Sequence, residues 1–171
     1  MPKIIENLPA RLTEEAGRQI AESGYSALTI RSVAKACGVG VGTVYNYFPS
    51  KDELVAAYML QGWKDCMARI HDAGENAQTM EPVLRCMYDQ LLSFSREHQG
   101  VTRDAGAAVC FAGTMGKYHA LLRTQLAQPL ACWTKDAFTG EFIAEAMLTW
   151  TMEGKSFSEI YGVLQKICEE K

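Results

Sequence analysis

The stretch Leu28–Leu54, LTIRSVAKACGVGVGTVYNYFPSKDEL, decides the fold. Thr29 is a good N-cap for a helix that carries Ile30, Val33 and Ala34 on one face. Cys37-Gly38-Val39 follows, and Gly38 is free to take the left-handed conformation that ends a helix. A second helix is expected from about Val41 to Phe48, with Val44 and Phe48 four residues apart on an inward face. Pro49 stops it, and Ser50 with Glu53 reads as a capping box that starts a third helix. Two short helices joined at a glycine match a helix-turn-helix, whose second helix enters the DNA major groove.

The run from Thr29 to Leu54 closely resembles the DNA-binding segment of tetracycline-repressor-type regulators. The most specific parts are Val33-Ala34, Gly38-Val39, Gly42-Thr43-Val44-Tyr45, Tyr47-Phe48 and Ser50-Lys51, with Gly24-Tyr25 upstream. Gly40 stands where the family often has a serine cap, and Tyr47 where it often has histidine. A glycine cap costs only a few tenths of a kcal/mol, so the helix is expected to form. The resemblance implies that Thr43, Tyr45, Tyr47 and Lys51 contact phosphates, that Arg31, Val41, Gly42 and Asn46 reach base edges, and that Thr29 lies near the backbone. The chemistry agrees: asparagine pairs bidentately with adenine, arginine with guanine, and valine touches the thymine methyl. Gly42 lets the helix backbone come close to the groove.

Charge neither supports nor opposes this. The net charge is −3 over 171 residues. Residues 1–56 hold six basic side chains (Lys3, Arg11, Arg18, Arg31, Lys35, Lys51) and six acidic ones (Glu6, Glu14, Glu15, Glu22, Asp52, Glu53). A dimer with two heads needs only local phosphate contacts. Hydrophobic content of 48% and charged content of 22% fit a globular chain able to bury a core without staples. No apolar run approaches the ~20 residues that span a bilayer, and the N-terminus is too polar for a signal peptide, so a cytoplasmic location is expected.

Outside the motif the pattern stays helical. Residues 1–8 read as an arm carrying Lys3. A first helix is expected from Pro9 to Ser23, burying Leu12, Ala16, Ile20 and Ala21. The helix from Ser50 is expected to run about five turns and end before Gly74. Another starts at Thr79 with Pro82 in its first turn, presents Val83, Met87, Leu91, Phe94 and His98, and stops near Gln99-Gly100. A shorter helix is expected over Val101–Phe111, and Gly113 and Gly116 flank a break. A helix through Tyr118, Leu122, Leu126, Leu130 and Trp133 is kinked at Pro129 and ends at Thr139-Gly140. Two last helices follow, the second opened by a Ser156/Glu159 capping box. No strand alternation appears, so the expected fold is all-α. It comprises a three-helix DNA-binding head, 1–49, and an α-helical ligand-binding and dimerisation domain, 50–171.

Enzyme chemistry is not indicated. His71, His98 and His119 lack any ligand spacing, and no nucleophile elbow, Walker loop or dinucleotide fingerprint occurs. The six cysteines contain no C-x-x-C and read as single buried thiols, so no metal or cofactor is expected. The family resemblance implies an apolar ligand pocket in the second region. Its candidate lining is Met59, Trp63, Met67, Met87, Tyr88, Phe94, Phe111, Met115 and Tyr118, though any of these side chains also serves as plain core. The resemblance likewise implies a homodimer whose four-helix interface includes Phe142, Met147, Trp150, Ile160 and Leu164. The expected function is a repressor released from operator DNA by a small, largely apolar effector. An architectural or interaction module without an effector, a thiol-sensing regulator, and a helix-turn-helix recombinase or enzyme subunit are the alternatives.

Overall fold

The computed structural model describes residues 7–111 and 115–169, and the side chains within them except those of 111, 115–118 and 167–169. The expected N-terminal arm and the break at Gly113 lie outside the described residues, apart from its last two positions. All regular structure among the described residues is helical. The helices are α1 (Leu8–Ser23), α2 (Ile30–Cys37), α3 (Val41–Tyr45), α4 (Lys51–Asn76) and α5 (Met80–Glu97). They continue with α6 (Gln99–Thr102), α7 (Ala105–Phe111), α8 (Met115–Ala127), α9 (Ala137–Met152) and α10 (Phe157–Glu169).

Two compact units emerge, and neither is continuous in sequence. The first takes the described residues of Met1–Gly62 and Glu97–Ala112; the second takes those of Trp63–Arg96 and Gly113–Lys171. The first unit's core joins Leu12, Ala16 and Ile20 of α1 with Val33 and Ala34 of α2 and Val44 of α3. Leu54 and Val55 of α4 complete it together with Val101 of α6 and Ala107 of α7. The N-terminal half of α4 therefore belongs to the head core, and the unit extends past the motif itself. The second unit packs Ile70, Leu84, Met87, Leu91, Leu126, Leu130, Ile143, Met147 and Leu164, all essentially inaccessible to solvent.

Several helix ends differ from expectation, each for a local reason. α4 passes through Gly74 to Asn76, because Gly74 serves close packing: a Cβ there would sit 3.4 Å from the Pro129 Cβ. Pro129 does not kink a helix but closes one, within a 3-10 turn Gln128–Leu130 after α8. Thr139-Gly140 lies inside α9, since the Asp136 carboxylate accepts from the Thr139 N–H at 2.7 Å and starts a helix there. Gly116 likewise lies inside α8. The expected helix over Val101–Phe111 is two pieces, α6 and α7, divided at Asp104. The Ser156/Glu159 box is formed in both directions, at 3.3 and 2.9 Å.

Candidate nucleic-acid interface

The junctions of the motif, apart from the start of α3, are fixed by short-range devices. The Thr29 hydroxyl accepts from the Ser32 N–H at 3.0 Å, and Ser32 returns the favour by accepting from the Thr29 N–H at 3.3 Å. Gly38 ends α2 with φ +69°, the left-handed cap expected of it. α3 begins at Val41 after Gly40, which supplies no side-chain cap. Its regular part ends at Tyr45 rather than Phe48; tight turns from Tyr47 and Phe48 N–H to the Val44 carbonyl carry the chain on to Pro49. Proline disfavours helical geometry at Phe48, the residue before it, so no regular helix continues to Pro49. The Ser50 hydroxyl then accepts from the Glu53 N–H at 3.1 Å as α4 begins.

These junctions turn one face outward. Val44 is wholly buried and Phe48 packs partly against the head core, as expected. Val41, Tyr45 and Tyr47 are 36%, 49% and 48% exposed, a large amount of hydrophobic surface for one short segment. Gly42, Asn46 and Arg31 are exposed beside them, and Thr43 is half-buried. A Cβ on Gly42 would meet nothing within 4 Å, so this helix face is open to a close partner. Thr29, Arg31, Val41, Tyr45 and Lys51 line one open cleft with Leu28, Ile30, Pro49 and Ser50. Five of the nine residues proposed from sequence thus share one concavity, which includes the first residues of both α2 and α4. Arg31 and Lys35, four apart on the exposed face of α2, make no ion pair among the described residues. Arg18, by contrast, is occupied by Glu15 and Glu22.

Lys51 is more constrained than a solvated phosphate contact would be. Its ammonium lies 4.0 Å from the Tyr25 ring centroid and donates to the Tyr25 carbonyl at 3.1 Å. The Tyr25 hydroxyl donates in turn to Asp52. Burial, followed by that hydrogen bond to Asp52, pushes the Tyr25 phenol well above its ordinary range. The sequence reading missed a second anchor, Asp104. Its carboxylate accepts from the Ser26 hydroxyl at 2.8 Å, the Ser26 N–H at 3.1 Å, and the Gly106 and Ala107 N–H groups at 2.8 and 3.2 Å. The Ser26 hydroxyl leads the causes that hold Asp104 below the usual carboxylate range. The only sequence signal was an aspartate ahead of a small-residue helix.

The other expected site residues divide. Trp63, Met67 and Met87 are buried in the core of the second unit, with Tyr88 and Phe94 packed at its edge. The Trp63 indole donates to Gln125 Oε1 at 2.5 Å and meets Phe94 edge-on at 5.6 Å. Tyr88 is committed elsewhere: its hydroxyl donates to the Lys155 carbonyl at 3.0 Å and its ring packs on Phe157. Met59 packs with the head core instead. The side chains of Phe111, Met115 and Tyr118 lie outside the described residues. Of the expected dimer residues, Met147, Ile160 and Leu164 are buried within the subunit's own core, because α9 and α10 turn those positions onto α8 and α5 side chains. Phe142 and Trp150 are 47% and 45% exposed, and Phe138, Met152 and Val163 join them as exposed apolar groups. The cysteines also depart from uniform burial: Cys37 and Cys66 are buried, while Cys110 and Cys132 are exposed. His98 is buried against Tyr58 in the first unit, beyond the end of α5.

Residues 12–58 match the family model described as bacterial regulatory proteins of the tetR family. An HTH-type transcriptional regulator of Mycobacterium tuberculosis is 26% identical over 117 residues, which is 67% of this chain and 48% of that protein. The chain thus spans about half the length of that relative. Nucleoid occlusion factor SlmA of Actinobacillus pleuropneumoniae is 26% identical over 153 residues, 87% of this chain and 70% of SlmA. The fold is shared with the TetR family repressor AlkX of Dietzia, at a TM-score of 0.63 and 19% identity, covering 95% of this chain and 94% of that one. It is shared also with the transcriptional regulator FadR of Bacillus subtilis, solved with stearoyl-CoA, at a TM-score of 0.54 and 17% identity over 94% and 95% of the two chains.

Proposed function

We propose, from a head that matches the tetR-family model and a fold shared with regulators of that kind, that the chain is a sequence-specific DNA-binding transcriptional repressor. The observation that carries the reading is the cleft shared by Thr29, Arg31, Val41, Tyr45 and Lys51, beside the exposed Gly42, Asn46 and Tyr47. Arg31 and Asn46 have the donor geometry for base edges, and Val41 has the apolar surface for a thymine methyl. Tyr45, Thr43, Tyr47 and Lys51 supply donors to phosphates, and the N–H groups that open α2 and α4 favour an anion. Lys35 adds a cation on the same face as Arg31. Recovering bound duplexes from a random-sequence pool tests this directly. A repeated pseudo-palindromic sequence, its half-sites about one helical turn apart, is the expected result. A pool that stays random refutes sequence-specific binding.

The repressor works as a homodimer in the cytoplasm and catalyses no reaction. Its partner surface is the exposed apolar face of α9 and α10, where Phe138, Phe142, Trp150 and Val163 point away from their own core. An isologous contact between two copies covers them. The effector is small and largely apolar, held by the second unit near Trp63, Met67, Met87 and Phe94, with Gln125 as the polar group among them. The acyl-CoA bound to FadR and the n-alkane degradation linked to AlkX are in keeping with an apolar ligand. The likeness to a nucleoid occlusion factor over 87% of the chain favours one second reading: a DNA-binding factor with no effector-controlled gene. Ligand titration of the DNA complex separates the two.

A further inference from the structure

The turn joining α1 to α2 is gripped from two directions within the first unit. On one side, the Asp104 carboxylate takes both the N–H and the hydroxyl of Ser26 while capping α7 through Gly106 and Ala107. α7 is seated flush there, since a Cβ on Gly106 would stand 3.1 Å from both Asp104 Oδ1 and Ser26 Oγ. The Tyr25 N–H also donates to the Gly100 carbonyl, at 3.1 Å, just ahead of this segment. On the other side, Tyr25 supports Lys51 through its carbonyl and its ring. Ser26 follows Tyr25 directly, so the carboxylate that fixes one fixes the platform made by the other.

We infer that Asp104 is a positioning residue for DNA binding: through Ser26 and Tyr25 it holds the Lys51 ammonium at the edge of the cleft where a phosphate binds. The inference rests on the proposed reading that this cleft takes the DNA backbone. Lysine has three N–H donors and a stem with many rotamers. One donor goes to the Tyr25 carbonyl, which leaves two for an anion. The ring beneath attracts the charge without neutralising it. Asp52, the adjacent carboxylate, is engaged by the Tyr25 hydroxyl, and Lys51 makes no ion pair among the described residues. Lys51 is therefore an oriented cation with donors left for an anion, and orientation before binding removes part of the ordering cost of the contact.

The test uses the full-length protein and a fluorescent duplex that the wild type has selected from a random pool, titrated by anisotropy across a salt series. Lys51→Ala is expected to lower the salt slope by about one per head. Asp104→Ala is expected to lower it equally and to weaken binding about 3- to 10-fold, the scale of one phosphate contact. Asp104→Asn, whose amide oxygen still accepts, recovers most of the loss, and Asp104→Ala added to Lys51→Ala costs nothing further. An Asp104→Ala protein with a lower melting temperature but a wild-type slope refutes the positioning role, as do additive losses in the double variant. If Asp104→Ala does not fold, Ser26→Ala, which removes only the hydroxyl bond, takes its place in the same comparison. A wild type that selects no duplex, or a Lys51→Ala protein with unchanged slope, brings down the phosphate reading of the cleft and this inference with it.

Discussion

Gly100 and Ile20 meet with no room for a side chain between them. A Cβ at Gly100 would stand 2.7 Å from the Ile20 carbonyl oxygen and 2.8 Å from its Cγ2. Backbone on one side and a wholly buried side chain on the other leave nothing to yield. Gly100→Ala is expected to destabilise the protein by about 1–3 kcal/mol, the cost of overpacking. A urea melt followed by circular dichroism measures it, and a loss under half a kcal/mol contradicts the close fit.

Within the cleft, chemistry separates two kinds of contact. Asn46→Ala and Arg31→Ala are expected to relax preference at particular base pairs, by about 1–3 kcal/mol each. Tyr45→Phe removes only a phosphate donor and should weaken all duplexes alike. A panel of single-site duplex variants gives both answers. Identical, sequence-independent losses for Asn46→Ala and Tyr45→Phe would erase the division.

On α9, exposure separates assembly from folding. Trp150→Glu is expected to shift the protein from dimer to monomer in sedimentation at micromolar concentration, with little change in subunit helicity. Met147→Ala, at a wholly buried position, is expected to cost about 2–5 kcal/mol of stability. A wild type that sediments as a monomer with and without DNA excludes the interface.

Acid sensitivity follows from the helix caps. Asp104 is held low chiefly by the Ser26 hydroxyl, Asp136 by the Thr139 N–H and Glu159 by the Ser156 N–H. Each lowered carboxyl binds protons less readily folded than unfolded. Its contribution is therefore complete above the ordinary carboxylate range, about pH 4, and is lost as pH falls through the folded values. Denaturant melts at about pH 6 and about pH 3 should show the loss, and Asp136→Asn should shrink it.

Effector and operator are expected to oppose one another by the same factor, about 5- to 150-fold. Calorimetry of a long-chain acyl-CoA, with and without saturating duplex, reads that factor. Equal affinities would leave a ligand site standing but remove its control over DNA.

The head was largely legible because its devices are local. Thr29 with Ser32, Gly38, Pro49 and Ser50 act within a few residues of one another and leave a signature at fixed spacing. Asp104 acts on Ser26 from 78 residues away, and no periodicity marks such a pair. Glycines misled for a related reason. Gly74 and Gly140 look like helix ends, yet they sit inside helices, where Pro129 and Thr134 approach them closely. The apolar residues of α9 and α10 were correctly read as helical seams. Which of them face their own subunit depends on α5 and α8, so Met147, Ile160 and Leu164 were assigned to a surface they do not reach.

The first unit is interrupted: its core needs Val101 and Ala107, which follow the intervening residues 63–96. During synthesis the recognition motif therefore leaves the ribosome well before the segment that closes its core. A gene fragment stopping at Gly62 encodes every residue of the cleft but omits Asp104, Gly100 and Val101. Such a fragment lacks part of the core that the intact first unit buries. Because the entropy of closing a loop rises only slowly with its length, the interruption costs the intact protein little. Its consequence is order: this core is completed only by the chain that returns to it.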